Sequence, residues 1–149
     1  MNYLILLFAT GFGVGFSPIV PGTMGTLVAI PIYYFLSSTL FSPVYELTLF
    51  AFFFFSSWIA GQAERYWGQK DDRRIVIDEI MGFLVTMLWI PKSPRFIVAG
   101  FILFRIFDIL KPFPIRRMER VKSGLGVVLD DVLSGVYANI VLHLLSVLF

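Results

Sequence analysis

The chain has no cysteine, one histidine and few charges, and each shortage excludes something. Without cysteine there is no disulfide framework, no thiolate zinc site and no cysteine nucleophile. Charged residues make up 15% of the 149 residues, against about 25% in an average soluble domain. No charge occurs between Met1 and Tyr45, and further uncharged runs cover Leu47–Ala63, Ile80–Pro91 and Val132–Phe149. The formal net charge of +2 is too small to suggest nucleic acid, and the basic residues do not form a spread groove. The N-terminus lacks the basic region and small-residue cleavage site of a signal peptide. The lone histidine, His143, lies deep in the last apolar run with no acid near it in sequence, which fits a structural role.

What remains is strongly apolar: 58% of residues are hydrophobic and the mean hydropathy is +0.83. This composition belongs to an integral membrane protein, with residues 1–149 as a single domain. Asn2–Phe16 is apolar but too short for the ~20 residues of a full helical span, so it reads as a short helix. Gly11–Thr26 holds five glycines and two prolines, which cannot be regular helix throughout. Such a loop must be buried in protein or lie at the membrane surface, because lipid cannot satisfy its backbone. It is not a Walker loop, since no Gly-Lys-Ser/Thr follows; packing, a hinge or anion binding before the next helix all fit it.

Leu27–Phe41 and Leu47–Ala63 read as spans joined at Ser42-Pro43, with Phe52–Phe55 facing lipid or packing. The polar segment Glu64–Arg74 reads as a solvated loop or surface helix. Ile80–Ile90 is short for a span, Arg95–Leu110 returns after Pro91–Pro94, and Val132–Phe149 closes the chain. The expected fold is all-α: a polytopic membrane helical bundle with about four transmembrane spans plus a short N-terminal helix.

Three charged motifs interrupt this pattern. Arg105, Asp108 and Lys111 fall within one ~120° sector of a helix that Pro112 should stop. Snorkelling to the interface explains Lys111 but not Asp108, and intramembrane acids and bases are expensive enough to mark a site. Asp78 and Glu79 open an apolar run, where they could also complement a helix dipole. Asp130 and Asp131 enter the final run with no basic partner four residues on; two like charges near lipid make sense if a cation sits between them. Arg116, Arg117, Arg120 and Lys122 form a basic cluster suited to the cytoplasmic face and anionic headgroups.

Placing the glycine loop in the cytoplasm puts Glu64–Ile77 and Lys111–Leu129 there too, and leaves only Glu46, Lys92 and Arg95 in the opposite turns. This satisfies the positive-inside rule and gathers all the motifs on one membrane face. Asp78, Glu79, Asp108, Asp130 and Asp131 are then candidate ligands for a hard cation such as Mg²⁺. Arg105 and Lys111 suit a phosphate, and the glycine loop adds candidate substrate contacts at Ser17, Thr23 and Thr26. Carboxylates, a hard metal and phosphate-binding cations at a headgroup suggest phosphoryl chemistry on a lipid. A phosphohistidine route would need His143 at another depth, and no Asp-X-Asp offers an aspartyl nucleophile.

The motifs Gly11-Phe12-Gly13-X-Gly15-X-Ser17-Pro18-X-X-Pro21-Gly22-Thr23-X-Gly25-Thr26, Asp78-Glu79-X-X-Gly82, Phe104-Arg105-X-X-Asp108-X-X-Lys111-Pro112-X-Pro114-Ile115 and Gly124-X-Gly126-X-X-X-Asp130-Asp131-X-X-X-Gly135 occur in this order along nearly the whole chain. Together they resemble the phosphatidylglycerophosphatase A family. The resemblance implies a multi-pass protein of the bacterial inner membrane that uses Mg²⁺, with its active site at the cytoplasmic face. It would hydrolyse phosphatidylglycerophosphate to phosphatidylglycerol and inorganic phosphate, with the lipid and the bilayer as its partners and no protein partner identifiable. The seven charged motif residues would be catalytic. Two rivals remain at this point. A small membrane transporter or channel component would line an acidic cation path, with carboxylates at several depths rather than at span ends. A lipid-headgroup phosphotransferase would need an Asp-Gly…Ala-Arg…Asp pattern, which is missing.

Overall fold

The computed structural model describes residues 2–121 and 123–149; Lys122 of the basic cluster lies outside them. Every regular element among the described residues is helical. The Asn2 side chain caps α1 (Tyr3–Ala9) by accepting the Leu4 N–H at 3.1 Å. A loop with left-handed Gly11 and Gly13 leads through one 3₁₀ turn, Val14–Phe16, to α2 (Pro21–Thr39). The glycine-rich stretch is therefore irregular only as far as Val20. Pro21 occupies the first helical position, where its missing N–H would have no partner anyway.

α3 (Val44–Trp67) stops at Gly68, whose φ of 67° gives the left-handed turn that ends many helices. After a loop come α4 (Ile77–Thr86), α5 (Pro94–Leu110), the short α6 (Ile115–Met118) and α7 (Gly124–Leu148). The run expected at Ile80–Ile90 is thus a ten-residue helix, about 15 Å long and half the ~30 Å of a hydrocarbon core. It is apolar because it is enclosed by protein: every residue of α4 except Glu79 is buried, and α7, α2, α3 and α5 all pack on it.

α3 and α7 are each long and apolar enough to cross a membrane. Phe83, Phe104, Ile59 and Leu142 are among the largest fully enclosed side chains. Phe35 of α2, Phe50 of α3, Ile102 of α5 and Leu144 of α7 are instead more than half exposed. Large apolar side chains facing outward on four helices make a coat suited to lipid. Within Phe52–Phe55, Phe52 and Phe53 pack on the core while Phe54 and Phe55 face outward. His143 Nε2 lies 3.2 Å from the Leu88 carbonyl, which gives it a structural contact.

Candidate active site

The site forms where the first turn of α4 meets α7, α5 and the start of α2. Gly82 sets its spacing: a Cβ there would sit 2.7 Å from the Asp131 carbonyl and 2.5 Å from the Phe104 ring. Small residues let helix backbones approach this closely. Asp78 lies one turn before Gly82, and Asp131 one turn before Gly135, so the two acids face each other across the crossing. Asp78, Glu79 and Asp131 each bring a carboxylate oxygen to within 4.8 Å of the others.

The beginning of α2 closes this cluster. A Cβ on Gly22 would lie 2.6 Å from Glu79 Oε1 and 3.3 Å from both terminal nitrogens of Arg105. Glycine here lets the helix start touch the acid and the guanidinium together. Arg105 forms an ion pair with Asp108, one turn further along α5. Among the buried atoms without a hydrogen-bond partner are Asp78 Oδ1, Glu79 Oε2 and Arg105 Nε. Unsatisfied buried oxygens on converging acids fit a hard cation, and an unsatisfied guanidinium N–H beside them fits an anion.

Lys111 departs from the row expected on α5. It leaves the helix in the left-handed conformation, with φ at 46°, just before Pro112. Its ammonium turns to Asp130 Oδ2 at 2.9 Å and Glu119 Oε1 at 2.6 Å. Asp130 is therefore paired, by a residue 19 positions earlier, and is not one of the three acids drawn together with Asp131. Burial alone would pull the Lys111 ammonium down, but its hydrogen bonds to Glu119 and Asp130 outweigh that and raise it above the ordinary lysine value.

The hydroxyls of the glycine-rich stretch are placed unequally. Thr23 lies in the first turn of α2 next to Gly22. Thr26 is fully buried and donates to the Gly22 carbonyl at 3.0 Å. Ser17 donates to the Ile19 carbonyl at 2.9 Å and lines a separate surface cleft with Asp72, Arg73 and Arg74.

The Glu64–Arg74 segment is less solvated than its charges suggest. Glu64 is buried and accepts the Asp71 N–H at 2.8 Å. Asp72 is buried too and receives the Arg74 guanidinium at 2.7 and 2.8 Å, which holds its carboxyl below the usual aspartate value. Arg74 also stacks over Trp67, 4.1 Å from the ring centre.

Residues 7–146 match the profile of the phosphatidylglycerophosphatase A family. The chain belongs to that family. A phosphatidylglycerophosphatase A of Escherichia coli is 38% identical over 144 residues, covering 94% of this chain and 82% of the relative. That of Haemophilus influenzae is 38% identical over 139 residues, covering 92% and 85%. A Bacteroides thetaiotaomicron protein provisionally named a phosphatidylinositol-3-phosphatase is 42% identical over 148 residues, covering 95% and 92%. No solved structure matches the chain. In this member of the family, Lys70, Asp71 and Glu119 stand beside Asp130 in a polar cleft. Sequence reading passed over these three because each sits in a charged loop and only the fold brings them to α7.

Proposed function

We propose that this chain is a Mg²⁺-dependent lipid phosphatase that hydrolyses phosphatidylglycerophosphate to phosphatidylglycerol and inorganic phosphate. It would act as a multi-pass protein of about four spans in the bacterial inner membrane, with its site at the cytoplasmic face. The observation that carries the reading is the meeting of three carboxylates, an arginine and a helix start at one buried point. Family membership and two relatives named for this activity support the substrate. The gathering of Asp78, Glu79 and Asp131 favours a catalytic centre over a cation path, which needs acids at successive depths.

In this reading Asp78, Glu79 and Asp131 hold Mg²⁺. When bound, the ion polarises a phosphoryl oxygen and lowers the pKa of its water. Arg105 directs its unpartnered Nε–H at the phosphate, while Asp108 holds the guanidinium in place. The start of α2, with Thr23 beside Gly22, presents backbone N–H groups to the same anion. Lys111 joins the site through Asp130, supplying positive charge at its rim.

The test is phosphate release by purified protein in detergent–lipid micelles, with and without Mg²⁺. Release from phosphatidylglycerophosphate that depends on Mg²⁺ is the expected result. No release would overturn the reading. Phosphatidylinositol 3-phosphate belongs in the same assay, because of the name borne by the Bacteroides relative; a strong preference for it would move the substrate assignment.

A further inference from the structure

Beside the acid cluster lies a second opening that the chemistry above does not use. It is a cleft of about 270 Å³ between the α3–α4 loop and the first turns of α7, lined by Lys70, Asp71, Glu119, Gly126, Val127 and Asp130. Asp130 is 4% exposed, and its Oδ2 accepts from Lys111 Nζ at 2.9 Å. Its other oxygen, Oδ1, is buried without a partner. Lys70 donates to the Glu119 carbonyl and Lys111 to the Glu119 carboxylate, so the wall carries both donors and acceptors. Asp130 adjoins Asp131 in the chain, and Asp131 belongs to the acid cluster. The cleft therefore opens on the turn of α7 that also carries Asp131, a proposed ligand.

We propose that this cleft is a subsite for the hydroxylated alcohol that carries the phosphomonoester. The proposal rests on the phosphatase reading above and adds what the site recognises beyond phosphate. A hydroxyl both donates and accepts. It can give its hydrogen to Asp130 Oδ1 or to Asp71, and accept one from Lys70. A second phosphate fits poorly, because Asp71, Glu119 and Asp130 would repel it. A second metal ion also fits poorly. An ammonium already sits on Asp130, and among the described residues the acids drawn tightly enough to hold an ion are Asp78, Glu79 and Asp131. Sites built to hydrogen-bond a substrate hydroxyl discriminate strongly against analogues that lack it, because their buried polar groups are left unpaired. Asp130 Oδ1 is such a group.

The test compares full-length enzyme on phosphatidylglycerophosphate and on its 2-deoxy analogue, in which the free glycerol hydroxyl is replaced by hydrogen. Two variants accompany the wild type. Asp71→Gly removes the carboxylate where φ is 51°, a backbone that glycine adopts freely. Lys70→Met removes the ammonium and keeps an apolar side chain of similar length. Melting temperatures verify that both variants fold. Wild-type kcat/KM should favour the hydroxylated substrate by about 10-fold or more, and both variants should bring the ratio toward one. A wild type active on both substrates without preference overturns the subsite alone. Variants that lose activity equally on both substrates, keeping the wild-type ratio, also overturn it. Recovery of Asp71→Gly at raised Mg²⁺ would assign the cleft to a cation instead. A wild type inert on both substrates overturns the phosphatase reading and the subsite with it.

Discussion

Gly135 of α7 lies directly against the carbonyl of Gly82 in α4, so close that a Cβ on Gly135 would collide with that oxygen and come within 3.3 Å of Thr86 Oγ1. One turn before the crossing stand Asp78 and Asp131; one turn after it, Asn139 donates to the Thr86 carbonyl at 2.9 Å. The crossing thus sets the distance between two proposed ligands. Gly135→Ala should push the helices apart, at a cost of about 1–3 kcal/mol for overpacking. A lower melting temperature together with weaker Mg²⁺ affinity is expected. Unchanged values for both would show that the crossing does not control the site.

Asp131→Asn keeps the shape of a proposed ligand and removes its charge. Mg²⁺ affinity should fall by on the order of 10–100-fold or more, at least the loss seen when groups behind a ligand are changed. Without metal the variant should be no less stable than wild type, because crowded carboxylates repel one another. Calorimetric titration with Mg²⁺, and melting with and without it, measure both effects. Equal Mg²⁺ binding by the two proteins would remove Asp131 from the ligand set.

Arg105→Lys tests geometry at constant charge. The guanidinium engages Asp108 while its Nε faces inward unpartnered, and one ammonium cannot reproduce that fork. A clear loss of kcat/KM is expected, with Mg²⁺ affinity largely retained. A rise in KM alone would mean the contact binds ground state and transition state alike, and a fall in kcat that it acts mainly on the transition state. Full activity would reduce Arg105 to an anchor.

The Asp72–Arg74 pair predicts a pH dependence of stability. The folded carboxyl titrates below its ordinary value of 3.8, chiefly through its hydrogen bonds to Arg74. Its stabilisation is therefore fully present above that value and is lost as pH falls through the lower folded value. Asp72→Asn should melt below wild type at pH 7, by an amount that stays constant down to about pH 5 and then shrinks. A gap that widens in acid would contradict the pairing.

Topology can be checked with the chain's own lack of cysteine. Gln69 and Ser123 line one surface cleft, so single cysteines at either position should react from the same side of the membrane. Labelling from opposite sides would break the proposed cytoplasmic placement of the site.

Much of this arrangement was legible in the sequence. Asp78-Glu79-X-X-Gly82 and Asp131-X-X-X-Gly135 place each acid one turn from a small residue, and Pro112 marks where α5 stops. The brevity of Ile80–Ile90 was visible, but whether lipid or protein enclosed it was not. Hydrophobicity reads the same in either solvent. The Lys111–Asp130 pair was hidden for another reason. It spans 19 residues and depends on a left-handed turn at Lys111, which local helical periodicity cannot foresee. Glu64 likewise looked solvated until the fold supplied the Asp71 N–H as its partner.

The burial of α4 has a kinetic consequence. Nine of its ten residues are enclosed, and four helices hold it. Its amide hydrogens should exchange with solvent only through global opening, in contrast to mobile catalytic loops, which exchange by local fluctuation. The acids at its N-terminal turn therefore share the lifetime of the whole fold, and substrate must come to a centre already assembled.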